Sequence, residues 1–223
     1  MPQRHALIVT GGHQPDPLAA SFIDEHHLVI CADSGLEHAL ALGLTPHVVI
    51  GDMDSVHPRA LDRAVELGAR AVTAPADKDL TDTELAIEHA IAIGADALTV
   101  WWGGGDRSDH VLGVVAACSS AHLDHLEFVH LWIGGDLLRV VLPGRPLSMA
   151  TEPGSTVSLI PLAGTAEGVR TSGLRWQLDD ETLHAGRARG VSNVVTEPIV
   201  TVSVSSGRLG VITPHLTSGG ITS

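Results

Sequence analysis

Short apolar runs, most closed by glycine or acid and most followed by a stretch of helical spacing, set the pattern of the first 143 residues. Val48, Val49 and Ile50 are β-branched and apolar without alternation, as suits a strand buried on both faces of a parallel sheet. Ala6 to Thr10, Leu28 to Ala32, Ala71 to Thr73 and Leu98 to Trp102 read as further strands. Between them the spacing predicts helices: Leu36 to Leu42 with Gly43 beyond, Pro58 to Leu67 with Leu61 and Val65 on one face, and a mostly apolar helix from about Arg107 to Ser119. Thr81 and Glu84 form a capping box that opens a helix whose face carries Leu85, Ala86, His89, Ala90 and Ile93. After Leu126 the pattern changes. Phe128 to Ile133 and Leu137 to Leu142 read as strands around Gly134-Gly135, and from Leu147 onward the sequence predicts short strands and no helix. Ile199 to Ser205 alternates cleanly, with Arg208 to Ile212 as its expected hairpin partner after Gly207. The expected fold is α/β plus all-β: a mostly parallel, Rossmann-like nucleotide-binding domain over 1–143, then a β-sandwich over 144–223. The tail from Thr213 to Ser223, rich in Ser, Thr and Gly, is expected to be mobile.

Composition narrows the function more than the fold. A chain of 223 residues buries a sizeable core without staples. A formal charge of −13 argues against nucleic acid or an anionic membrane as partner, since both are held through Lys and Arg. It also means that a polyphosphate substrate would need a metal and a local basic group. The 14 His show no spacing that suits zinc. Cys31 and Cys118 are isolated thiols in apolar segments, read as reduced core residues of a cytoplasmic protein. No apolar run approaches membrane-spanning length, and neither a leader nor an anchor is expected.

The candidate chemistry sits where the apolar runs stop. Gly51-Asp52-Met53-Asp54-Ser55 follows the third strand, at the carboxyl end where open α/β sheets hold their ligands. Two carboxylates at that spacing can share Mg²⁺, and the plain alternative is a polar turn bonded to its own backbone. Asp33-Ser34-Gly35 is a second polar group at a strand's carboxyl end. Asp77 to Glu84 crowds four acids and Lys78 into eight residues. Asp82 there is open to the reading that a first-turn acid serves only the helix dipole, whereas Lys78 and Asp79 precede the cap and gain nothing from it. Gly103-Gly104-Gly105-Asp106-Arg107 can bring backbone N–H groups and a guanidinium to a phosphate, or can be an ordinary strand-to-helix turn.

Together these motifs resemble the thiamine pyrophosphokinase family: Ala32-Asp33-Ser34-Gly35, Gly51 to Ser55, Lys78 to Asp82, and a glycine loop ending Arg107-Ser108-Asp109-His110, in that order. Gly173 to Leu178 and Ser192-Asn193 are similar to the family's thiamine-binding strand and loop. One departure is Val114, where bacterial members usually have Asn. The resemblance implies Mg²⁺-dependent transfer of pyrophosphate from ATP to the hydroxyethyl group of thiamine, giving thiamine diphosphate and AMP. It implies Asp52, Asp54 and Asp82 as metal ligands, with Asp79 joining them or acting from behind. Lys78 and Arg107, with Gly104 and Gly105, would hold phosphates. Asp33, with Ser34 and Gly35, would hold the nucleotide or metal waters, and Asp109 would lie on the substrate side. Trp176, Ser192 and Asn193 would hold thiamine, near the subunit interface of a homodimer. For Trp176 the sequence leaves open a core position on one strand face with Leu174 and Leu178. Two other functions remain open at this point. One is a haloacid-dehalogenase-like phosphatase with Asp52 as nucleophile, because Ile50 to Val56 also fits that pattern. The other is a non-catalytic thiamine or nucleotide-binding protein.

Overall fold

The computed structural model describes residues 4–14, 28–74, 79–105 and 107–214, so Lys78 and most of the C-terminal tail lie outside the described residues. The chain divides into two compact units, one of residues 1–117 with 125–134 and the other of 118–124 with 135–223.

In the first unit, strands β1 (His5–Val9), β2 (Leu28–Ala32), β3 (Val48–Gly51), β4 (Arg70–Thr73), β5 (Ala97–Trp102) and β6 (Val129–Ile133) lie in the order β4-β3-β2-β1-β5-β6. Each of these pairings is parallel. Their apolar runs are buried, with Ile8, Ile30, Val49 and Val100 all fully inaccessible. The register keeps the carboxyl ends level: Val9 stands opposite both Cys31 and Trp101, and Ala32 opposite Ile50. Strand order reverses between β1 and β5, and such a reversal opens a crevice at the carboxyl edge of a parallel sheet. Helices α1 (Gly35–Ala41), α2 (Pro58–Glu66), α3 (Asp82–Ala92) and α4 (Ser108–Cys118) follow β2, β3, β4 and β5. In α2 the expected Leu61/Val65 face is not the one that packs. Ala64 is buried and Val65 is 53% exposed, because the helix meets its neighbours through its smallest side chain.

The second unit is antiparallel throughout its described pairings. Strands β7 (Asp136–Val141), β8 (Leu147–Ala150), β9 (Thr156–Ser172), β12 (Ile199–Ser203) and β13 (Ser206–Pro214) run in the order β7-β13-β9-β12-β8, and β10 (Glu181–Leu183) and β11 (Asn193–Val194) also pair with β9. Its core gathers Val157, Leu159, Val169, Leu183, Val200, Val202, Leu209 and Val211. Arg208 donates through Nε to Asp124 Oδ1 at 3.0 Å, tying the 118–124 segment to β13.

Three expectations are corrected here. The strands are not all short, since β9 runs through 17 residues and absorbs Ala163, Gly164 and Gly168 as positive-φ kinks. β12 and β13 are not hairpin partners. β12 pairs with β8 and the end of β9, whereas β13 pairs with β7 and the middle of β9. Alternation reports the buried face but not the neighbour, and here the long central strand outcompetes the local turn. Gly173 to Leu178 is not a strand: only Leu174 bridges, to Val195. Leu174 and Leu178 are buried while Trp176 is 56% exposed, so the three do not share a face and Trp176 is not core.

Candidate active site

The acidic turns converge at the carboxyl edge of the parallel sheet. Asp33 leaves β2 in the left-handed region at φ 44°, its N–H donating to the Ile50 carbonyl at 3.0 Å, so the end of β2 is stitched to β3. One step along the sheet, Gly51 passes directly beside the Asp33 carboxylate. A β-carbon on Gly51 would stand 1.7 Å from Asp33 Oδ1, so any side chain there would push the carboxylate out of its place. Met53 takes φ 66° and donates its N–H to Asp33 Oδ1 at 3.3 Å, and the Asp54 N–H donates to Asp52 Oδ1 at 3.0 Å. The polar turn read as the plain alternative is therefore real, and it aims acids rather than competing with them. Carboxylate oxygens of Asp33, Asp52 and Asp54 lie within 4.8 Å of one another.

Asp82 arrives from α3. The Thr81 hydroxyl accepts from the Glu84 N–H at 3.2 Å and Glu84 Oε2 accepts from the Thr81 N–H at 2.9 Å, so the capping box fixes the start of the helix. The next residue, Asp82, is held against Asp33 by a carboxyl–carboxyl hydrogen bond. Desolvation, then that bond and the charge of Asp82, push Asp33 up to about 7. Asp54 is raised by its hydrogen bond with Asp52 and by the Asp52 charge. Acids that raise one another in this way are short of positive charge, which a hard cation with oxygen preference supplies.

Beside the acids lies a cavity of about 520 Å³ bordered by Thr10, Gly12, Asp33, Asp82, Trp102 and His110. Its walls depend on close backbone approach: a β-carbon on Gly35 would meet the Val9 carbonyl oxygen at 2.1 Å. Ser34 lines the same cavity. The glycine loop after β5 is anchored by the His13 N–H, which donates to the Gly104 carbonyl at 2.8 Å, with Gly105 next in line. Arg107 does not stand free. It donates to Asp109 through Nε at 3.2 Å and Nη2 at 2.6 Å, and this pairing holds Asp109 below the usual carboxylate range. Asp109, Gly113 and Val114 line the cavity, and Asp79 is exposed just ahead of Thr81.

In the second unit, Asn193 is 6% exposed and its amide makes three hydrogen bonds. Its Oδ1 accepts from the N–H groups of Trp176 at 3.1 Å and Val194 at 2.9 Å, while Nδ2 donates to the Trp176 carbonyl at 2.8 Å. Asn193 thus clips the backbone that presents Trp176. Ser192, at φ 61°, is exposed. The Arg175 guanidinium carbon stands 5.1 Å from the Trp176 ring centroid.

Sequence reading missed Trp102 and Thr10, although both end apolar strands at the carboxyl edge and the strand-end rule applied to Asp33 would have found them. It also missed Glu37, which accepts from the His57 N–H at 2.7 Å and so braces the end of the acidic loop from α1. A lone acid in a short helix gives no sequence signal for that.

Residues 19–129 match the thiamin pyrophosphokinase catalytic domain and residues 147–209 the thiamin pyrophosphokinase vitamin B1 binding domain. The chain belongs to the thiamine pyrophosphokinase family. It is 26% identical over 205 residues to the thiamine pyrophosphokinase of Bacillus subtilis, covering 91% of this chain and 94% of that protein. It is 28% identical over 236 residues to thiamine pyrophosphokinase 1 of Arabidopsis thaliana, with 94% and 86% covered. The crystal structure of the Bacillus subtilis thiamine pyrophosphokinase superposes with a TM-score of 0.83 at 24% identity, covering 96% of this chain and all of that one. Thiamin pyrophosphokinase from yeast shares the fold at a TM-score of 0.73 and 14% identity, with 96% and 87% covered. As a member of this family the chain is an enzyme, a thiamine diphosphokinase, and neither the phosphatase nor the non-catalytic reading is favoured.

Proposed function

We propose that this thiamine pyrophosphokinase transfers the terminal diphosphoryl group of ATP to the hydroxyethyl oxygen of thiamine, leaving AMP, with Mg²⁺ held at the acidic edge of the parallel sheet. The observation that carries this is the convergence of Asp33, Asp52 and Asp54, with Asp82 bonded to Asp33, beside a cavity of about 520 Å³.

The carboxylate set suits Mg²⁺, which takes one or two carboxylates and keeps water and phosphate oxygens for its other positions. When bound, the ion neutralises phosphate charge. Asp52 and Asp54 are the direct ligands in this reading, since the Asx-type turn orients them together. Asp33 and Asp82 would hold waters around the ion, and Asp79 would support them from the loop. The protein's own work is positioning and charge, as in other phosphoryl transfers. Arg107 and Lys78 receive phosphate oxygens, with Asp109 holding the Arg107 fork in orientation until the substrate arrives. Ser34, Gly35, Gly104 and Gly105 let the nucleotide approach the backbone.

The first unit is read as Rossmann-like, on the reversal of strand order at β1 and β5, and the second as a β-sandwich, on its antiparallel pairing. Residues 1–143 would bind ATP and 144–223 thiamine. The exposed Trp176 ring offers a face to the cationic thiamine ring, Asn193 presents that indole through its backbone clip, and Ser192 supplies a hydroxyl. A cytoplasmic homodimer with thiamine near the subunit interface completes the proposal. Among the described residues no helix is long and apolar enough to cross a membrane.

Product analysis tests the reading. Purified protein given ATP, thiamine and Mg²⁺ should form AMP and thiamine diphosphate in equal amounts, with no ADP and no phospho-enzyme. Inorganic phosphate as the main product would overturn it in favour of the phosphatase.

A further inference from the structure

The second unit carries a cavity of about 330 Å³ lined by Thr182, Leu183, His184, Arg187 and Arg189, a basic pocket in a chain of net charge −13. Its shape is built by consecutive turns. The Arg187 N–H donates to the His184 carbonyl at 3.2 Å across Ala185 and Gly186, whose φ of 75° only glycine adopts freely, so His184 and Arg187 stand at the two ends of one turn. The Val191 N–H then donates to the Ala188 carbonyl at 3.2 Å, which sets Arg189 inside a second turn. Gly190 is buried against β9: its carbonyl accepts from the Leu159 N–H at 2.9 Å, and a β-carbon there would meet the Leu159 oxygen at 2.3 Å. The loop is therefore pinned to the sheet.

The charges around it are already matched, with one exception. Arg170 takes Asp179 and Asp180, and Arg189 takes Glu181, which steadies its guanidinium. Among the described residues no carboxylate pairs with Arg187. An unmatched guanidinium beside a second, oriented one, with an imidazole and the Thr182 hydroxyl on the same walls, presents forked donors to a tetrahedral oxyanion. The volume is at the small end of ligand sites, enough for phosphate groups without a nucleoside.

We propose that the Thr182–Arg189 pocket is a binding site for a phosphate or diphosphate anion, separate from the acidic site of the first unit. The probe is inorganic pyrophosphate, titrated calorimetrically into the full chain in buffer with EDTA, where the metal-free acids repel anions and leave the basic pocket to report. Saturable binding is expected, weakened about tenfold or more in Arg187→Gln, as for loss of a charge-assisted hydrogen bond, and partly restored in Arg187→Lys. Asp54→Asn should bind pyrophosphate like the parent, and Arg187→Gln should keep the parent's melting temperature and turnover. Absence of binding to the parent, or a folded Arg187→Gln/Arg189→Gln variant that binds as tightly as the parent, would overturn the proposal.

Discussion

Truncating Trp176 and truncating Asn193 should separate recognition from scaffolding. Trp176 is 56% exposed, so Trp176→Ala gives up less than half of the roughly 3 to 5 kcal/mol that a core aromatic costs, about 1 to 2 kcal/mol. Asn193→Ala instead removes three hydrogen bonds and strands the Trp176 N–H and carbonyl, which amounts to about 2 to 4 kcal/mol. For a chain of this size, each kcal/mol moves the melting temperature by roughly 2 to 4 °C. Calorimetric melting should therefore show Asn193→Ala several degrees below Trp176→Ala. Thiamine titration should show the indole variant weakened about 5- to 30-fold, the worth of a desolvated cation–π contact of roughly 1 to 2 kcal/mol, with ATP binding unchanged. Asn193→Ala should weaken thiamine too, because the ring is no longer presented. Normal thiamine affinity in a folded Trp176→Ala would refute the indole's role, and an unchanged melting temperature in Asn193→Ala would refute the clip.

Asp54→Asn should keep the fold, since its backbone N–H still closes the turn on Asp52, yet lose about 10² or more in turnover; activity within twofold of the parent removes Asp54 from the site. The acid cluster also predicts a pH dependence. The folded-state value of Asp33, about 7, lies above its ordinary 3.8, so its contribution to stability is full below that ordinary value and is lost as pH rises through about 7. Melting of the EDTA-treated protein should accordingly fall between about pH 4 and 8, more steeply than in Asp33→Asn, and added Mg²⁺ should restore stability most at the alkaline end. A slope identical in the two proteins would show that Asp33 does not titrate as described.

Much of this was legible in the sequence because it is local. A β-branched run that stops at Gly51-Asp52 announces a buried strand and a loop at its carboxyl end, and Thr81 with Glu84 announces the start of α3. What stayed hidden is what sequence distance conceals. That Asp82 would hydrogen-bond Asp33 depends on α3 landing beside β2, far along the chain. For Trp176 the sequence left two positions open, the thiamine-facing one and a core one shared with Leu174 and Leu178, and its exposure removes the second; the amide of Asn193, 17 residues on, that grips its backbone gives no local signal. Likewise β12 and β13 carry hairpin signals, yet β12 pairs with β8 and the end of β9 while β13 pairs with β7 and β9, partners that lie far along the chain and leave no mark in the local pattern.

The route of phosphorus tests the account most directly. ATP labelled separately at the α, β and γ positions is supplied with thiamine and Mg²⁺, and the products are resolved. The account predicts β and γ label together in thiamine diphosphate and α label in AMP, because the hydroxyethyl oxygen attacks the β-phosphorus. Label from the γ position alone in thiamine monophosphate, with ADP carrying the rest, would contradict it.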